Sequence, residues 1–270
     1  MALAHVNGID LHYALDGAAG APLLVLSHGL GLALGMWDAQ MATLGARMRV
    51  LRYDTRGHGA SSVPAGPSSI DDLGRDVLAL LDHLGVERAH FCGLSLGGMT
   101  GMWLASHAPQ RIAALILANT APQIGARQMW DTRIATVRGH GMGAISDAAI
   151  ARWFTPGFID RSPAVVAELK ALFERTPAEG YVSCCAANRD ADLRGVIARI
   201  RGSTTLVVSG SHDAATPPAL GQWMAKQMFG AGYVELPTAH LSNVEAPDVF
   251  ARLVIDHVAR VTAASTRAAA

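Results

Sequence analysis

The chain has 270 residues, half of them hydrophobic, with 22 basic and 22 acidic side chains and no formal net charge. That length and apolar content suit one well-buried α/β domain with an insertion and argue against disorder. Balanced charge supplies no field for gathering nucleic acid or a membrane surface, and no run reaches the ~18 uninterrupted apolar residues of a membrane span, so a small molecule is the expected partner.

In chain order, residues 1–16 alternate apolar and polar side chains through Ile9, Asp10, Leu11, His12 and Tyr13. They lack the basic start and long apolar run of a signal peptide, so they read as a strand and the chain as cytoplasmic. Short apolar, β-branched runs follow at 22–27, 48–53, 89–93, 112–118, 204–209 and 232–236. Continuous apolar runs of this length predict a mostly parallel sheet buried on both faces. Between two of them Ile70, Leu73, Val77, Leu80, Leu81 and Leu84 fall at helical spacing behind Ser69, an N-cap candidate, with Asp71 and Asp72 in the first turn. A second helix should run to about His107 and stop before Pro109. After Asn119 the strand rhythm lapses for about 80 residues, and prolines at 122, 156, 163 and 177 divide that stretch into helices expected at 127–138, 146–154, 163–175 and 177–188. The reading is an α/β fold with a core at 1–120 and 202–262, a helical cap inserted at 121–201, and a flexible tail at 263–270.

Cys92, Cys184 and Cys185 form no C-x-x-C pair and read as reduced thiols, consistent with a reducing compartment. Eleven histidines are scattered with no H-E-x-x-H or similar cluster, so no metal is expected.

The chemistry centres on Gly93-Leu94-Ser95-Leu96-Gly97, a serine between glycines where a strand ends and a helix begins. Such a turn leaves no room for Cβ atoms two residues either side and projects the hydroxyl above the sheet. A serine is a poor nucleophile at neutral pH and needs a histidine to take its proton and an acid to orient that histidine. Asp213 and His240 each follow a predicted strand. His212 adjoins the acid too closely to serve as the base, and Asn119, at another strand end, is an amide that carries no charge. Donors for an oxyanion are the backbone N–H groups of Leu96 and of Leu30, the latter in the turn Ser27-His28-Gly29-Leu30-Gly31, where His28 reads as a brace. The polar loop 54–61 reads as scaffold, with Asp54 and Arg56 satisfying backbone groups.

With these residues in place the chain resembles the α/β-hydrolase superfamily over nearly its full length, including the triad order Ser95, Asp213, His240. Three stretches, Leu51 to Gly59, Gly93 to Met99 and Ala239 to Glu245, narrow the likeness to the 3-oxoadipate enol-lactonase family, and Leu117 to Thr120 and Arg189 to Arg194 strengthen it. The resemblance implies a cofactor-free serine hydrolase of aromatic catabolism that opens a small lactone carrying a carboxylate. Such a substrate calls for a cation in the pocket; Trp130 and Arg133, sharing a helical face at i, i+3, are candidates, and Arg189 is another. Other small-substrate hydrolases (carboxylesterase, C–C hydrolase, perhydrolase) and a ligand receptor of the same fold stay open.

Overall fold

Apolar, β-branched runs pair with one another because each must bury both faces. In the computed structural model, which describes residues 1–269, they form one sheet in the order β1 (Ala2–Val6), β2 (Ile9–Asp16), β4 (Arg49–Tyr53), β3 (Leu23–Ser27), β5 (Ala89–Leu94), β6 (Ile112–Ala118), β7 (Thr205–Gly210) and β8 (Gly232–Leu236). The six strands β3 to β8 are parallel, and β1 and β2 add an antiparallel edge. At the centre Val25, Phe91, Cys92, Leu94, Ile116 and Leu117 are wholly buried, as strands covered by helices on both faces require.

Helices α1 (Asp38–Gly45), α2 (Ile70–His83) and α3 (Leu96–His107) connect the first strands. Ser69 caps α2 as its sequence predicts: the hydroxyl accepts from Asp72 N–H, and the Asp72 carboxylate accepts from Ser69 N–H. Between β6 and β7 lie α4 (Arg127–His140), α5 (Gly143–Trp153), α6 (Pro156–Arg161), α7 (Pro163–Glu174) and α8 (Ala178–Asp190), and no strand. The last part adds α9 (Pro218–Gln227), α10 (Ser242–Glu245) and α11 (Pro247–Ala269). No described helix is long and apolar enough to cross a membrane.

Two expectations need correction. Residues 1–16 are a hairpin rather than one strand, turning at Asn7 (φ 48°) and Gly8 (φ 76°). Asn-Gly suits a two-residue hairpin turn because both positions need positive φ. The expected flexible tail 263–270 continues α11 through residue 269; its alanines are the best helix formers and outweigh the terminal position. Residue 270 lies outside the described residues.

Helix α2 presses on α3 at Gly74, where an added Cβ would fall inside the Trp103 ring. Alanine favours a helix over glycine by about 1 kcal/mol, but forcing a methyl into a packed contact costs about 1–3 kcal/mol. Gly74→Ala should therefore lower stability, measured by urea denaturation; a gain would mean that Trp103 yields freely.

Candidate active site

β5 ends at Leu94 and α3 begins at Leu96, which leaves Ser95 alone in the turn at φ 56°, ψ −114°. An L-residue held there stores about 1–3 kcal/mol of strain. Hydrogen bonds hold it: Ser95 N–H donates to Ala118 O at 3.0 Å, and Ser95 O accepts from the Thr120 hydroxyl at 2.7 Å. Close packing does the rest, since a Cβ on Gly93 would strike the Gly97 carbonyl and one on Gly97 would strike that of Ser27.

Loops after β7 and β8 bring Asp213 and His240 together, with His240 Nδ1 2.8 Å from Asp213 Oδ2. The carboxylate also accepts from Ala215 N–H at 2.8 Å, Thr216 N–H at 2.9 Å, the Thr216 hydroxyl at 2.7 Å and Asn119 Nδ2 at 3.0 Å. Burial alone would raise the Asp213 pKa; the charge interaction and hydrogen bond with His240 and the Thr216 donors outweigh burial and hold it at about 2. Asn119, set aside on sequence as unable to act as the acid, is thus a donor to that acid, and its Oδ1 accepts from the Ser242 hydroxyl. Ser95 and His240 line one cavity of about 230 Å³. The row is closed from Asp213 to His240; no hydrogen bond joins Ser95 to His240 among the described residues, and the serine hydroxyl stays open to the cavity.

Leu30 lines the same cavity, beside Gly29 and Ser95. Leu96 is the first residue of α3, so its amide has no intrahelical acceptor. Beneath Leu30, His28 Nδ1 donates to Gly29 O at 2.8 Å and His28 Nε2 accepts from Thr55 N–H at 2.9 Å. Next to it His58 Nε2 accepts from Gly31 N–H at 2.9 Å and Nδ1 donates to Arg56 O at 3.1 Å. Burial lowers both histidines, His58 to about 3, where the neighbouring His28 adds to the effect. Both therefore stay neutral and act as braces. The 54–61 loop is scaffold: Asp54 accepts from the Leu34 and Ala60 amides, and Arg56 forks onto Asp76 with two bonds of 2.6 Å.

From the inserted helices, Trp130 is a buried wall of the cavity, its Nε1 donating to Ile124 O, and the Arg133 guanidinium lies 5.0 Å from the Trp130 ring centroid. The structure removes Arg189 from this set. Its guanidinium pairs with Asp131 and Asp190 through three hydrogen bonds and lies outside the cavity, because the spacing of α8 turns it toward α4. Two residues unforeseen in the sequence face the cavity instead: Arg152 of α5 and Asn188 of α8. No Asp or Glu lines it. Burial, and then the Arg133 charge, disfavour the charged form of Arg152; Asn188 is buried with Oδ1 unpartnered. Arg152 adjoins Trp153 much as Arg133 accompanies Trp130, a pairing visible in the sequence, but the face α5 turns inward is set by its packing.

Fold and site define an α/β hydrolase. The profile described as the alpha/beta hydrolase fold matches residues 22–152, and the chain belongs to that family, as its likeness to relatives over nearly its whole length shows. It is 46% identical over 242 residues to 3-oxoadipate enol-lactonase 2 of Acinetobacter baylyi, covering 90% of each chain. It is 35% identical to 3-oxoadipate enol-lactonase 1 of the same organism, covering 92% of each. The crystal structure of the enol-lactonase from Burkholderia xenovorans LB400 superposes with a TM-score of 0.93 at 46% identity, covering 96% of this chain and 100% of that one.

The depressed Asp213 pKa makes stability depend on acid. A carboxyl at about 2 when folded and about 3.9 when unfolded contributes fully above pH ~4 and loses its contribution as pH falls toward 2. The stability gap between wild type and Asp213→Asn should narrow by about 2 kcal/mol between pH 5 and pH 2. Urea titrations across that range check it; a constant gap would refute the assignment.

Proposed function

We propose that this protein is a serine hydrolase that opens 3-oxoadipate enol-lactone to 3-oxoadipate through an acyl-enzyme on Ser95, within the β-ketoadipate route of aromatic catabolism. The observation that carries the reading is one cavity shared by the serine–histidine pair and two arginines. Ser95 and His240 line it from the sheet side, Arg133 and Arg152 line it from the inserted helices, and no Asp or Glu lines it, in a chain 46% identical to an enol-lactonase. Residues 121–201 act as the cap that supplies the arginines, and 1–120 with 202–262 supply the chemistry.

In this reading His240, oriented by Asp213, takes the Ser95 proton as Oγ adds to the lactone carbonyl. The oxyanion forms against the Leu30 and Leu96 amides. Collapse breaks the ring C–O bond; the leaving oxygen is an enol, a better leaving group than an alkoxide, so the step demands less of His240 as acid. Water, deprotonated by His240, then cleaves the acyl-serine ester, and the ring-opened enol relaxes to the ketone. Each step is acid–base and acyl chemistry of side chains and water, so no cofactor is required. Arg133 and Arg152 hold the substrate carboxylate, with Trp130 against the ring and Asn188 beside the arginines. The buried free thiols of Cys92, Cys184 and Cys185 suit a cytoplasmic protein.

Ser95→Ala should abolish turnover while leaving the fold intact, and Asp213→Asn should lower kcat by about 10³–10⁴ through loss of the imidazole tautomer. Arg133→Gln or Arg152→Gln should raise KM for the lactone about tenfold or more, since a charged hydrogen bond contributes about 1.5–3 kcal/mol, and should affect a neutral nitrophenyl ester far less. Steady-state rates on both substrates test this. An advantage for the lactone below about tenfold in kcat/KM would move the protein to another small-ester hydrolase, and failure of Ser95 to label with a fluorophosphonate would make it a ligand receptor.

A further inference from the structure

The turn that carries Leu30 is fastened at three successive peptide planes, and the third fastening comes from the inserted helices. In the first plane Gly29 O accepts from His28 Nδ1, and in the second Gly31 N–H donates to His58 Nε2. In the third, Gly31 O accepts from the buried Thr176 hydroxyl at 2.8 Å. Thr176 lies between α7 and α8, with its own amide donating to Phe173 O at 3.1 Å.

A trans peptide is rigid and points its C=O and N–H in opposite directions. Fixing Gly31 O therefore fixes Leu32 N–H in the same plane, and that amide donates to Gly29 O at 3.2 Å. Gly29 O shares its plane with Leu30 N–H. Two rigid planes thus run from the Thr176 hydroxyl to the Leu30 amide. Packing reinforces the path: Gly31 sits at φ 80°, and an added Cβ there would strike Phe173 and come within 3.0 Å of Tyr181.

We propose that Thr176 is a positioning residue for the oxyanion hole, so that the inserted helices aim a transition-state donor as well as lining the substrate cavity. The proposal rests on Leu30 N–H being such a donor; it does not depend on which ester or lactone is the substrate. An amide turned away from the developing oxyanion weakens the transition state and leaves ground-state binding nearly untouched.

The test uses Thr176→Val, which keeps the shape and removes the donor, with Thr176→Ser as the conservative control. Rates are measured on a short nitrophenyl ester with active sites titrated, and labelling of Ser95 by a fluorophosphonate is followed in parallel. Thr176→Val should lower kcat about tenfold with KM within about twofold of wild type, slow labelling by a similar factor, and regain most of the rate as Thr176→Ser. A merely structural threonine would lower the melting temperature and leave kcat per titrated site unchanged. A kcat within about twofold of wild type, a change confined to KM, or a serine variant as slow as valine would overturn the proposal. Should Thr176→Val fail to fold, Thr176→Ala removes the same donor without added bulk and is read by the same criteria. Poor turnover of the lactone by wild type would defeat the substrate reading alone, because this comparison is made on the ester.

Discussion

A serine backbone at φ 56°, ψ −114° is unfavourable for any L-residue, and the rest of the molecule is arranged so that Ser95 has no alternative. β5 runs straight into the turn and α3 straight out of it, with Ser95 N–H bonded to the end of β6. Relaxing Ser95 would break that bond and drive Gly93 and Gly97 out of contact with carbonyls that admit no Cβ. Strain of about 1–3 kcal/mol is small beside the burial of the central strands, which is why the fold can hold it. The same turn opens the amino terminus of α3 beside the hydroxyl, so one constraint supplies a nucleophile and a neighbouring free amide together.

Three buried histidines lie around that turn, and their surroundings assign them opposite work. His28 and His58 each accept a backbone N–H with one nitrogen and donate to a carbonyl with the other. Protonating either would turn an acceptor into a donor facing a donor, so burial and bonding both keep them neutral. His240 differs in having a carboxylate on Nδ1 and the cavity beyond. An imidazolium formed there is met by a charge already stabilised by two amides, a hydroxyl and Asn119. Residue type alone does not separate a brace from a base; the partners of each nitrogen do.

What could be read from the sequence was whatever local sterics or spacing dictate. Gly93 and Gly97 announce the elbow because only glycine fits two residues from the serine, and Ser69 with Asp72 announces a helix start because the capping bonds are local. The pairing of Asp213 with His240 is legible because both follow strands that end on the same edge of the sheet. The Asn7-Gly8 hairpin was equally local and was passed over for a simple alternation of apolar residues. Helix-packing facts were out of reach. Arg133 and Arg189 look alike as cap arginines; Asp190 adjoins Arg189 along α8, and the packing of α4 on α8 brings Asp131 to it as well. Arg152 and Asn188 fall inside for the same reason, and Asn119 gained its role from a contact 94 positions along the chain.

The pairing of Arg189 also explains why Arg133 and Arg152 can serve binding. A guanidinium held by two carboxylates has little to gain from a third, whereas two half-buried guanidiniums facing each other without an acid raise the energy of the empty cavity. In the proposed reading, an arriving carboxylate would relieve their repulsion and make charge-assisted bonds in the same step, so the discrimination between anionic and neutral substrates would exceed what either arginine would give alone. In the proposed reading that energy acts on the substrate carboxylate, the part of the substrate that does not react. It orients the carbonyl over the hydroxyl only if the inserted helices are fixed relative to the sheet. The hydrogen bond from Thr176 to Gly31 joins those helices to the turn that carries Leu30, so in the proposed reading the helices that would hold the carboxylate are registered against the turn that would receive the developing charge.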